Sequence, residues 1–147
     1  FERVLSGMGL TNIYNFVRDN RIFGEEENAE LRFLIKSNNS ADIAALVAEY
    51  AIKHKDIMAM RALDIFVRIY GAAVGNLALT TLPFGGLYVV GGIAPKLLEQ
   101  IKKGGFLEAF ADKGRMSDLL KRVPLHIVLN EDTGLLGAAV FAHNMVL

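Results

Sequence analysis

The stretch Phe84-Gly85-Gly86-Leu87-Tyr88-Val89-Val90-Gly91-Gly92-Ile93-Ala94-Pro95 decides the fold. Leu87 to Val90 is short, rich in β-branched residues and bracketed by glycine pairs, the pattern of a strand buried on both faces. Gly91 and Gly92 remove two Cβ atoms where that strand ends, so a ligand or another backbone can come close. Pro95 suits the first turn of a following helix. In an open α/β sheet, such a corner is where ligands sit.

Working outward, Gly75-Asn76-Leu77-Ala78-Leu79 together with Leu87 to Pro95 resembles the adenosine motif of sugar kinases with the actin-like ATPase fold, in particular the bacterial glucokinase family. Four further segments match that family's C-terminal half in order: Glu2-Arg3-Val4-Leu5-Ser6-Gly7, Gly105-Phe106, Asp112-Lys113-Gly114-Arg115 and Gly134-Leu135-Leu136-Gly137. The likeness covers nearly the whole chain and is weakest between about residues 20 and 40. It implies an α/β fold, the C-terminal lobe of an actin-like ATPase (ribonuclease H-like) fold, helix-rich with a small buried sheet and truncated on its N-terminal side. Residues 1–147 are then a single partial domain, with 20–39 a surface excursion.

With 147 residues and 52% apolar composition the chain can bury a sizeable core. Sixteen basic residues balance sixteen acidic ones, and no basic face interleaved with aromatics is visible, which argues against nucleic acid and charged membrane surfaces as partners. The chain has no cysteine, so a disulfide framework and a thiolate site are excluded; a reducing, cytoplasmic setting fits this. Residues 69–95 are 27 in a row without a charge, longer than a membrane span needs. Pro83 and the two glycine pairs instead fit a buried helix, a turn and a buried strand.

Taken in order, Leu10, Ile13, Tyr14 and Val17 form a helical stripe that starts near Thr11 or the preceding glycine. Glu2, read alone, is a solvated first-turn carboxylate. The resemblance implies instead that Glu2 accepts hydrogen bonds from glucose hydroxyls. Glu25-Glu26-Glu27 reads as a solvated face, since consecutive carboxylates scatter around a helix and do not converge on a metal. Ser40 suits the N-cap of a helix ending near Lys55, with His54 at its amphipathic end, and Asp56 caps the longest helix, running to about Leu82. Met60, Leu63, Phe66, Val67, Tyr70, Ala73, Val74 and Leu77 mark that helix's stripe, and its charge-free second half should be covered all round, with Asn76 hydrogen-bonded inside.

A helix from Ala94 to Lys103, two short helices (Phe106–Asp112 and Ser117–Arg122) and a second buried strand from Leu125 to Leu129 should follow. Lys113 and Arg115 read as loop cations more readily than as phosphate contacts, His126 as a satisfied core or edge histidine, and Asn130 to Thr133 as turn and cap residues. The last helix, Gly134 to Leu147, has small residues at Gly134, Gly137 and Ala138. The resemblance makes it the hinge helix that crosses a counterpart in the other lobe.

The resemblance also assigns Gly91, Gly92 and Ile93 to the adenosine of ATP. It places the phosphate loops, the Asn-Asp pair that supplies the base and the Mg2+ site upstream of Phe1. The chain should therefore be the C-terminal part of an ATP-dependent glucokinase, inactive by itself and dimeric. A non-catalytic nucleotide-binding or dimerisation module and a sugar-responsive regulator of the same fold remain as alternatives. A plain Rossmann dehydrogenase fits less well, because no Gly-x-Gly-x-x-Gly opens a helix.

Overall fold

The computed structural model describes residues 2–20, 24, 26–38 and 40–145. Helices α1 (Glu2–Leu5) and α2 (Gly7–Asp19) meet at Ser6. The Ser6 Oγ accepts from the Gly9 amide at 3.2 Å and donates to the Glu2 carbonyl at 2.7 Å. The N-cap is thus Ser6 and the helix begins at a glycine, Gly7; of the two expected starts Thr11 does not hold, because it lies inside the helix with its hydroxyl turned back to the Gly7 carbonyl at 3.5 Å. The stripe itself is as expected, with Leu10, Ile13, Tyr14 and Val17 all buried.

Helix α3 (Ala29–Ser37) falls inside segment 20–39 and is capped by Asn28, whose Oδ1 accepts from Glu30 and Leu31 amides at 3.0 and 3.1 Å. Leu31 is fully buried. Glu27 does not join a solvated face. Its side chain is only 16% exposed, held 3.7 Å from Arg18 and 3.5 Å from Arg32, because a carboxylate flanked by two guanidiniums can leave water. Glu25 and Leu147 lie outside the described residues, as does capping by the Ser40 side chain. Helix α4 (Ser40–Glu49) runs into a π-helical turn, Tyr50–His54, that ends at Lys55 in a left-handed conformation (φ 56°). His54 stacks on Tyr50 with ring centroids 4.4 Å apart.

Helix α5 (Ile57–Thr81) is the central element, and Asp56 caps it as expected, its Oδ1 accepting from Ala59 at 2.8 Å. Phe66, 1% exposed, anchors the core; burying such a side chain contributes about 1.5–3 kcal/mol. Met60 and Leu77, predicted inside, face outward, and the second half of α5 is not covered all round. Asn76 is exposed there. A charge-free face can meet water because the Thr80 and Thr81 hydroxyls donate back to the Asn76 and Leu77 carbonyls, each at 3.0 Å.

The chain continues as β1 (Leu87–Val89), α6 (Ile93–Lys96), α7 (Leu98–Lys102), α8 (Gly105–Ala111), α9 (Ser117–Leu120), β2 (Leu125–Ile127) and α10 (Thr133–Met145). The single helix predicted from Ala94 to Lys103 is broken at Leu97 (φ −103°, ψ 12°) into α6 and α7. Strands β1 and β2 pair in parallel, with Leu87 opposite Leu125, Tyr88 opposite His126 and Val89 opposite Ile127. Val89 is buried, whereas Tyr88 is 60% exposed and stacks on His126 at 4.8 Å. The strands are therefore buried on one face, not both: side chains alternate, and the in-register Tyr88–His126 pair covers the open face itself.

Helix α5 packs closest against α8, where Gly71 and Gly75 sit under the Phe106 and Phe110 carbonyls and leave no space for a side chain. Lys113, read from sequence as a loop cation, donates from Nζ to the Ala72 carbonyl at 3.0 Å and ties the end of α8 to α5. No helix among the described residues is long and apolar enough to cross a membrane.

Candidate functional site

The corner after β1 splits the glycine pair. Gly91 adopts φ +116°, which only glycine takes without strain, and the space beside it is open. Gly92 has an ordinary backbone (φ −76°), and the point where its side chain would sit has nothing nearer than Glu131 Oε2 and Lys96 Nζ, both at 3.9 Å. Its missing side chain therefore leaves free space over backbone, which neither packing nor φ requires.

That space opens into a largely apolar cavity of about 320 Å³. Ser6, Gly7 and Leu10 form one wall from the start of α2, Ala44, Ala45 and Ala48 a second from α4, and Gly92, Ile93, Lys96 and Leu97 a third, with Phe66 at its floor. The α2 wall is fixed by a tight corner: Gly9 lies against the Val4 backbone, and Asn12 Nδ2 donates to the Arg3 carbonyl at 2.9 Å. Two segments distant in the chain, the Glu-Arg-Val-Leu-Ser-Gly run and the glycine corner, thus share one cavity.

Gly92 and Ile93 line that cavity, while Gly91, exposed before them in the chain, and Glu2, exposed on α1, are outside the lining. Gly134, Gly137 and Ala138 belong to α10, which buries no residue, and the glycines there face open space. Sequence reasoning missed the α4 alanines, Ser6, Lys96 and Glu131. A small-residue run at Ala44, Ala45 and Ala48 was the available signal, but it reads equally as helix propensity.

Displaced titrations lie away from the cavity. Hydrogen bonds from Arg18, Lys53 and Lys121 hold the Asp19, Glu49 and Asp118 carboxyls below the usual range, and burial pushes the Tyr14 phenol up. No group of three or more His, Asp or Glu among the described residues is placed to hold a metal, so the implied Mg2+ has no ligand set here. Chemically, the cavity can take an apolar group against bare backbone, with the Lys96 cation in its lining and the Glu131 carboxylate beside Gly92.

The glucokinase family model matches residues 1–145. The chain belongs to the glucokinase family. It is 45% identical to a glucokinase of Synechocystis sp. and 42% identical to one of Nostoc punctiforme, in each case over 96% of its own length. It spans 41% and 43% of those two proteins. The crystal structure of a glucokinase from an Antarctic psychrotroph superposes with a TM-score of 0.72 at 29% identity, over 97% of this chain and 40% of that one. The helix-rich α/β architecture with its two-stranded parallel sheet is therefore part of the sugar-kinase, actin-like ATPase fold.

Proposed function

We propose that this chain forms the adenosine-binding part of an ATP-dependent glucokinase, which converts glucose and ATP to glucose 6-phosphate and ADP. The observation that carries the proposal is the shared cavity: Gly92 and Ile93 from the adenosine-like motif face Ser6 and Gly7 from the segment that carries Glu2. The adenine lies against the Gly92 backbone between α4 and α6, and the triphosphate runs out past the corner. Glu2, whose carboxylate is exposed and makes no hydrogen bond or ion pair among the described residues, accepts from the sugar.

Phosphoryl transfer also needs a base, a Mg2+ site and donors around the phosphates. In this proposal they come from the three fifths of the relatives' length that the chain does not span, and Mg2+ arrives with ATP. The chain alone binds nucleotide and does not turn it over. A cytoplasmic setting, where glucose 6-phosphate enters glycolysis, belongs to the same proposal and rests on the family.

NMR titration of the chain with ATP tests the nucleotide part, with shifts expected at Gly92, Ile93, Ala45 and Ala48. Shifts confined to other surfaces would overturn it. In a protein of the relatives' full length, Glu2→Gln should weaken glucose binding by about 1.5–3 kcal/mol and leave ATP binding intact, because it removes a charge-assisted acceptor. Equal glucose affinity by calorimetry would return Glu2 to a helix-start role.

A further inference from the structure

Lys96, at the end of α6, and Glu131, just after β2, reach the same spot from different elements. The point that a Gly92 side chain would occupy lies 3.9 Å from Lys96 Nζ and 3.9 Å from Glu131 Oε2. Neither group makes a hydrogen bond or ion pair among the described residues. The two opposite charges thus flank the bare backbone of Gly92 without pairing with each other.

We propose that Lys96 and Glu131 clamp the two ribose hydroxyls of the nucleotide, and so make the site select ribonucleosides over their deoxy counterparts. The inference rests on the nucleotide reading of the cavity. A vicinal diol answers both charges at once, since one hydroxyl donates to the Glu131 carboxylate while the other oxygen accepts from the Lys96 ammonium. A phosphate does not fit the spot, because Glu131 repels it. A purine ring does not need it, because the apolar walls already take a flat group. Lys96 and Gly92 also line the cavity, which sets the clamp beside the space proposed for the base. Gly92 is bare because the ribose occupies the place of its side chain.

The test titrates the whole chain by NMR with adenosine, 2′-deoxyadenosine and 3′-deoxyadenosine, without any phosphate. Adenosine should bind about tenfold more tightly than either analogue, the effect of one charge-assisted hydrogen bond. Glu131→Ala should bring adenosine down to the level of the analogues while their own affinities stay within about twofold. Glu131 is exposed, so an unchanged melting temperature will confirm that the variant folds. Lys96→Met provides a second reading from the other side of the gap and should shrink the same preference. If adenosine binds but the analogues bind equally well, or if the preference survives in Glu131→Ala, the clamp is wrong and the nucleotide reading stands. If none of the three binds, both fall.

Discussion

Gly91 and Gly92 are neighbours with different reasons to be glycine, and substitution separates them. At Gly91 the positive φ means that Gly91→Val strains the backbone and should lower stability by about 1–2 kcal/mol. At Gly92 the backbone is ordinary and the space free, so Gly92→Val should keep the melting temperature nearly unchanged and abolish ATP binding. Melting and calorimetry on the two variants decide it; a Gly92→Val protein that melts early yet binds ATP normally removes Gly92 from the site. Tyr14 poses the opposite question, because its side chain is fully buried and its hydroxyl finds no hydrogen-bond partner among the described residues. Burial first, then the Glu27 and Asp56 charges, raise its pKa above the ordinary 10.0. The neutral phenol is thus favoured by the fold: its contribution is fully present below pH 10.0 and is lost as pH climbs beyond that value. Tyr14→Phe should melt at the same or a higher temperature at pH 7, since an unpaired buried hydroxyl costs about 1–3 kcal/mol. It should also lose stability less steeply than the parent above about pH 10, as followed by thermal melts across that range.

Among the elements, the α5–α8 contact is the least forgiving. A methyl at Gly71 would fall on the Phe106 carbonyl, and backbone cannot step aside as a side-chain tip can. Gly71→Ala should therefore cost about 1–3 kcal/mol, several degrees of melting temperature, although alanine favours helix; an unchanged melt would mean that the two helices can slide apart. Elements of this kind were only partly legible in the sequence. The α2 stripe and the Asp56 cap could be read because apolar spacing and a short carboxylate before a helix act locally. The break at Leu97 and the outward turn of Met60 and Leu77 could not, because they depend on where neighbouring elements end. The same holds for the site. The glycine corner announced itself, but the cavity needs α4 and the start of α2 to close over it, and that is a matter of tertiary packing with no local signature.

At the scale of the whole molecule, α10 is the conspicuous feature: Leu135, Val140 and Phe141 are 73%, 60% and 67% exposed on a helix that buries nothing. Among the described residues the sheet has two strands, which pair solely with each other. Apolar helix faces and free strand edges of this extent favour association. Light scattering at micromolar concentration should therefore find a dimer or larger species, and Phe141→Gln with Leu135→Gln should shift it toward monomer without lowering the melting temperature. The same incompleteness bears on chemistry. The described residues form a largely apolar cavity lined in part by Lys96, with Glu131 beside Gly92, and no cluster of acids that could hold a metal. In the proposed reading the base and the donors around the phosphates belong to the part of the relatives' length that this chain does not span, and transfer needs both. The chain alone should accordingly release no ADP with glucose and ATP in a coupled assay, while still shifting its Gly92 and Ile93 signals on adding ATP. A protein of the relatives' full length that carries this chain should turn glucose over, and Gly92→Val in that protein should raise KM for ATP far more than KM for glucose. Turnover by residues 1–147 alone, above a buffer blank, would mean that the base and the phosphate contacts lie within this chain after all.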